Sequence, residues 1–132
     1  MPRLKKIYIY VIAACFMIGC INHVADIVNG GPFPYTFAPF GFNVFWTALS
    51  VIDLLVVVLL IAKLRAGLIF AAIVMVLDVT LNSYAIYGVG VKLAFWPVQI
   101  QTLFCGFVLG ALPALWDIAP RHSMVEANEI SA

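Results

Sequence analysis

Apolar positions along the chain gather into four blocks of roughly twenty residues each, the length an α-helix needs to cross a hydrocarbon layer of ~30 Å. The pattern predicts spans at Lys6–Val24, Gly41–Lys63, Ala66–Tyr87 and Val98–Trp116. Between them lie a first loop, Ala25–Phe40, a tight turn carrying Lys63 and Arg65, and a second loop, Gly88–Pro97. The expected fold class is all-α: an integral membrane four-helix bundle forming a single transmembrane domain over residues 1–116, with a short cytoplasmic tail over 117–132.

Composition excludes a soluble globule. Of 132 residues, 65% are hydrophobic and 10% charged, and the mean hydropathy is +1.12. That leaves too little polar surface to face water. Arg3, Lys5 and Lys6 precede the first span, Lys63 and Arg65 occupy the middle turn, and Arg121 follows the last span, with Lys92 alone on the opposite side. By the positive-inside rule the N-terminus, the C-terminus and the middle turn are cytoplasmic, and both longer loops face out. A bacterial-type inner membrane is the expected location. A net charge of +1 implies no nucleic-acid partner; the lipid bilayer is the expected surrounding.

Within the apolar blocks, the polar residues carry the functional signal. Asp53 and Asp78 each stand near the middle of a span, where an acid costs roughly 2.5–3.5 kcal/mol and usually faces a bundle interior or a wet cavity. Counted from the middle turn, the two differ in depth by only ~3 Å. On the second span Asn43, Thr47, Ser50 and Asp53 fall on one arc, a polar stripe running outward from the midplane. Asp78 and Asn82 share a face of the third span by their i, i+4 spacing, and His23 and Asp26 share a face of the first. Gln99 and Thr102 supply polar groups at that level from the fourth span. The expected ligand-binding set is therefore Asp53, Asp78, Asn82, Ser50, Thr47, His23 and Asp26. Two carboxylates brought together in low dielectric share a proton or hold a cation or an amine-bearing ligand. Simple hydrogen bonding to neighbouring helices is the competing explanation. For His23 and Asp26, near the interface, a solvated helix end is the plainer reading.

The first loop is rich in Pro, Gly and aromatic residues, from Asn29 to Gly41. Its rings suit the headgroup level, as a lid over the pocket or as an apolar cap against lipid. Tyr84, Tyr87, Phe95 and Trp96 are expected in the same belt. In the fourth span Gly106, Gly110 and Ala114 recur every fourth position. Such a stripe lets a second helix approach closely, within the bundle or in a homodimer. Ile12-Ala13-Ala14-Cys15 resembles a lipoprotein cleavage box. The apolar run continues to Val24 with three further spans behind it, which favours a membrane span. Cys15, Cys20 and Cys105 form no CxxC pair, and no His/Cys metal motif, Walker, Rossmann or hydrolase signature occurs, so no cofactor or metal is expected. A faint internal repeat pairs Ile21–Ala25 with Leu81–Ala85, and Phe45-Trp46 with Phe95-Trp96.

The layout resembles the EXPERA superfamily, which includes the emopamil-binding sterol isomerases. The resemblance lies in His23 and Asp26 near the outer end of span one, Asp53 in span two, Asp78 and Asn82 in span three, and the closing Leu112-Pro113-Ala114-Leu115-Trp116. It also extends to small bacterial four-span proteins with the same H-x-x-D layout. It implies a lipid-like ligand; it departs in the spacing of the span-one acid and in shorter loops. The function expected is binding of a small amphipathic or cationic ligand in an outward-facing intramembrane pocket. The alternatives are an oligomeric proton- or cation-coupled transporter or channel, and an accessory subunit of a larger complex. An enzyme acting on lipid is a minority view, since nothing stands at catalytic spacing.

Overall fold

The structure, a computed structural model, describes residues 3–117 apart from the Phe95 side chain. The expected tail beyond Asp117, with Arg121, His122, Glu126 and Glu129, lies outside the described residues. Four helices follow one another: α1 (Arg3–Gly30), α2 (Phe40–Ala62), α3 (Leu64–Ser83) and α4 (Phe95–Trp116). A π-helical turn, Tyr84–Val89, continues α3. All four helical segments are long and apolar enough to cross a membrane.

Local chemistry explains where the helices stop. α1 runs past the expected end at Val24, so His23 and Asp26 stand on continuous helix rather than at a frayed terminus. It ends at Gly31, whose φ of +88° suits glycine, with the Gly31 N–H donating to Ile27 O at 2.9 Å. Prolines between the helices prevent α1 from running into α2. At the other end a single residue, Lys63, separates α2 from α3. Its N–H donates to Leu59 O at 2.8 Å, and its own carbonyl accepts from the Gly67 N–H at 2.9 Å, so one residue closes both helix ends. So sharp a reversal brings the α3 backbone onto α2. A Cβ at Gly67 would touch the Leu60 backbone nitrogen and lie 2.7 Å from Leu60 Cα.

Sequential antiparallel helices pack as neighbours: α1 on α2, α2 on α3, and α3 on α4, while the α1–α4 contact that closes the ring is slight. The core is apolar, with Ile12, Leu49, Val56, Leu68, Val108 and Leu115 almost wholly buried. Outward faces are equally apolar. Ile61 is 79% exposed and Leu103 75%, a surface that suits lipid.

Helix rotation revises several expectations. Gly106, Gly110 and Ala114 face outward, and a Cβ at Gly106 or Gly110 would meet nothing within 4 Å. The stripe is therefore not used for packing inside the bundle. Buried positions on α4 run instead through Val98, Cys105, Val108, Ala111 and Leu115. That turns Gln101 inward and leaves Gln99 and Thr102 exposed. Tyr84, Tyr87 and Trp96 are also exposed, as a belt would be. The faint repeat does not extend to packing: Trp46 is buried where Trp96 is exposed, and Asn82 is buried where Asn22 is exposed.

Candidate functional site

Polar residues from all four helices converge at the end of the bundle that carries the two longer loops. A cavity of about 290 Å³ opens there. His23 and Asp26 line it from α1, Trp46 from α2, Asp78 and Asn82 from α3, and Gln101 from α4. Tyr35 and Phe37 of the first loop complete its aromatic side. Below it lies an inner chamber of about 90 Å³, lined by Gly19, Asp53 and Phe104 among others. His23, Asp78 and Gln101 line both spaces, and so form a shared polar wall between them.

Asn82 is the centre of the buried network. Its side-chain oxygen accepts from Trp46 Nε1 at 2.7 Å. Its amide nitrogen donates to Asp78 Oδ1 at 2.9 Å and to Gln101 Oε1 at 2.9 Å. Three helices are thereby tied at one level, and both donors and the acceptor of the Asn82 amide are engaged. The i, i+4 spacing places Asn82 above Asp78 as the sequence implies; Trp46 and Gln101 arrive only through folding.

A second network secures the first loop over the cavity. The Tyr35 hydroxyl donates to Asp26 Oδ2 at 2.9 Å and lies 2.7 Å from His23 Nδ1. Since its one proton goes to Asp26, the hydroxyl accepts from His23, which fixes Nδ1 as the protonated nitrogen and leaves Nε2 as an acceptor. Burial, and then the neighbouring Asp26, push the Tyr35 phenol well above its ordinary pKa, so Tyr35 remains a donor. The buried Asn43 clips the loop from below: its Oδ1 accepts from the Tyr35 N–H and its Nδ2 donates to Phe33 O, both at 3.1 Å. The Tyr35 and Trp46 rings meet edge to face with centroids 5.3 Å apart, and Phe37 stacks on Trp46 at 6.1 Å. His23 and Asp26 are thus a bridged pair, not the merely solvated helix end favoured from sequence.

The expected site residues separate into three groups. His23, Asp26, Asp78 and Asn82 line the larger cavity. Asp53 lies one layer deeper, in the inner chamber. Thr47 and Ser50 line neither: Thr47 reaches Asn43 Oδ1 at 3.5 Å, and the Ser50 hydroxyl donates to Thr47 O at 2.7 Å while its carbonyl accepts from the Cys20 thiol at 3.1 Å. Their polarity is consumed in α2 and its contact with α1. The rings lining the cavity are Tyr35, Phe37 and Trp46, not Tyr84, Tyr87 or Trp96. No family model, no curated protein and no solved structure matches this chain.

Proposed function

We propose that the protein is an integral membrane protein of a bacterial-type inner membrane, with both termini cytoplasmic, whose loop-end cavity binds a small amphipathic, positively charged molecule from the outer side. The observation that carries this reading is Asp78. It is 7% exposed and stands at the floor of a cavity walled by Tyr35, Phe37 and Trp46, into which, among the described residues, neither lysine nor arginine reaches. An acid at that depth calls for a partner. A ligand cation answers it, with ring faces steadying the charge and Asp26 marking the mouth. A volume of about 290 Å³ lies at the small end of ligand pockets, which restricts the occupant to a compact molecule. The EXPERA-like layout agrees with a lipid-like ligand.

Native mass spectrometry of the detergent-purified protein tests the reading. Wild type is expected to carry a bound amphiphile that Asp78→Asn loses while remaining helical. A wild-type protein that flies empty, or an adduct undisturbed by Asp78→Asn, would overturn it.

A further inference from the structure

The inner chamber is a second polar space that the amphiphile reading does not use. Asp53 is 7% exposed, yet among the described residues neither of its oxygens has a hydrogen-bond partner. Nearly every other buried polar group in this end of the bundle is paired, so an open acid stands out. Room for it is made from α1: a Cβ at Gly19 would sit 2.6 Å from Asp53 Oδ2.

The chamber's remaining chemistry is oxygen-rich. Asp78 keeps Oδ2 free, since Asn82 bonds Oδ1. Gln101 Oε1 accepts one hydrogen bond from Asn82 and retains a lone pair. We propose that the inner chamber is a binding site for a small monovalent cation of sodium's size, held by Asp53, Asp78, the Gln101 carbonyl and one or two waters, and reached through the larger cavity past the wall of His23, Asp78 and Gln101.

Ligand type selects this class. Magnesium is usually held by one or two carboxylates together with substrate phosphates rather than by an all-protein cage. Calcium takes about 6–8 oxygens, more than this wall supplies. Zinc, copper, iron and nickel favour imidazole or thiolate ligands, and among the described residues no three His, Cys, Asp or Glu side chains converge as a metal site. The two sites share Asp78, but an ion at Asp53 requires no amphiphile in the larger cavity.

Trp46 reports on the site, because it bonds Asn82, which bonds Asp78. With Trp96 and Trp116 replaced by Phe, Trp46 is the sole tryptophan of the three. Its fluorescence in nanodiscs is followed as NaCl replaces N-methylglucamine chloride at constant ionic strength. The expected result is a saturable change with sodium, weaker with potassium, lost in Asp53→Asn and shifted by about tenfold or more in Gly19→Ala. Gly106→Ala, a methyl added where nothing stands within 4 Å, leaves the curve in place. Should Asp53→Asn fail to fold, the Gly19→Ala and Gly106→Ala pair decides. No saturable sodium response, an equal response to N-methylglucamine, or an unshifted curve in Gly19→Ala overturns the site. An amphiphile seen by mass spectrometry without a sodium response defeats this inference alone; a sodium response in a protein that flies empty defeats only the amphiphile reading.

Discussion

Replacing Asn82 with Ala removes the one side chain that joins α2, α3 and α4 at the level of the cavity. Three hydrogen bonds disappear together: from Trp46 Nε1 at 2.7 Å, and to Asp78 and Gln101 at 2.9 Å each. Two of the three cross between helices, and such bonds in membrane bundles average ~0.6 kcal/mol each, while the i, i+4 bond to Asp78 adds ~0.2–0.5 kcal/mol, which puts the loss at about 1.5 kcal/mol. The upper bound is set by stranded groups: an unsatisfied buried donor or acceptor costs about 1–3 kcal/mol. The adjoining cavity lets water reach the Trp46 N–H and Asp78, so the outcome falls near the lower figure. Equilibrium unfolding in mixed micelles measures it, with Trp46→Phe as a second arm that removes one bond only. A double-mutant cycle between the two is expected to show coupling of about 0.6–1.7 kcal/mol. An Asn82→Ala protein within about 0.5 kcal/mol of wild type, or a cycle without coupling, would refute the network as a source of stability.

Two further outcomes are expected. Gly67→Ala forces a methyl into the Leu60 backbone and destabilises by at least the ~1–3 kcal/mol of an overpacked core, whereas Gly106→Ala is neutral or stabilising by ~0.5–1 kcal/mol through helix propensity; equal unfolding midpoints would refute the tight α2–α3 reversal. Tyr35, one of five tyrosines, ionises late in the folded protein because its phenol is pushed above the ordinary value of ~10. The unfolded chain then sheds that proton first, so the stability contributed by Tyr35 is complete below pH ~10 and is lost as pH rises toward the folded value. Alkaline titration at 295 nm is expected to show a late phenolate component that Tyr35→Phe removes; a Tyr35→Phe difference curve centred near pH ~10 would count against the bridge.

Much of the site was legible before folding was considered. Asp53 and Asp78 stood out because a charge is expensive inside an apolar run, and helix rise placed them at similar depths. Both now line the inner chamber. Asp78 and Asn82 were joined by spacing alone, and they are hydrogen-bonded. Gln101 was missed in favour of Gln99 and Thr102, and Tyr35 was only one ring among many in an aromatic loop. Its signal was present in part: a phenol in a loop between a histidine–acid pair and a buried asparagine has partners on both sides.

The sequence by itself determined that there are four apolar helices and, α1 apart, where they begin and end within a few residues, because these depend on run length; α1 continues six residues beyond the expected Val24. Only the tertiary structure decided which way each helix turns. In a soluble bundle the polar face reveals the rotation; here the outward face, with Leu103 and Ile61 widely exposed, is as apolar as the core, so α4 offers no such mark. Rotation was decided by close packing, by Gly19 yielding to Asp53 and Gly67 to Leu60, and by hydrogen bonds between residues far apart in the chain such as Trp46 and Asn82. Those partners exist only once the helices have met.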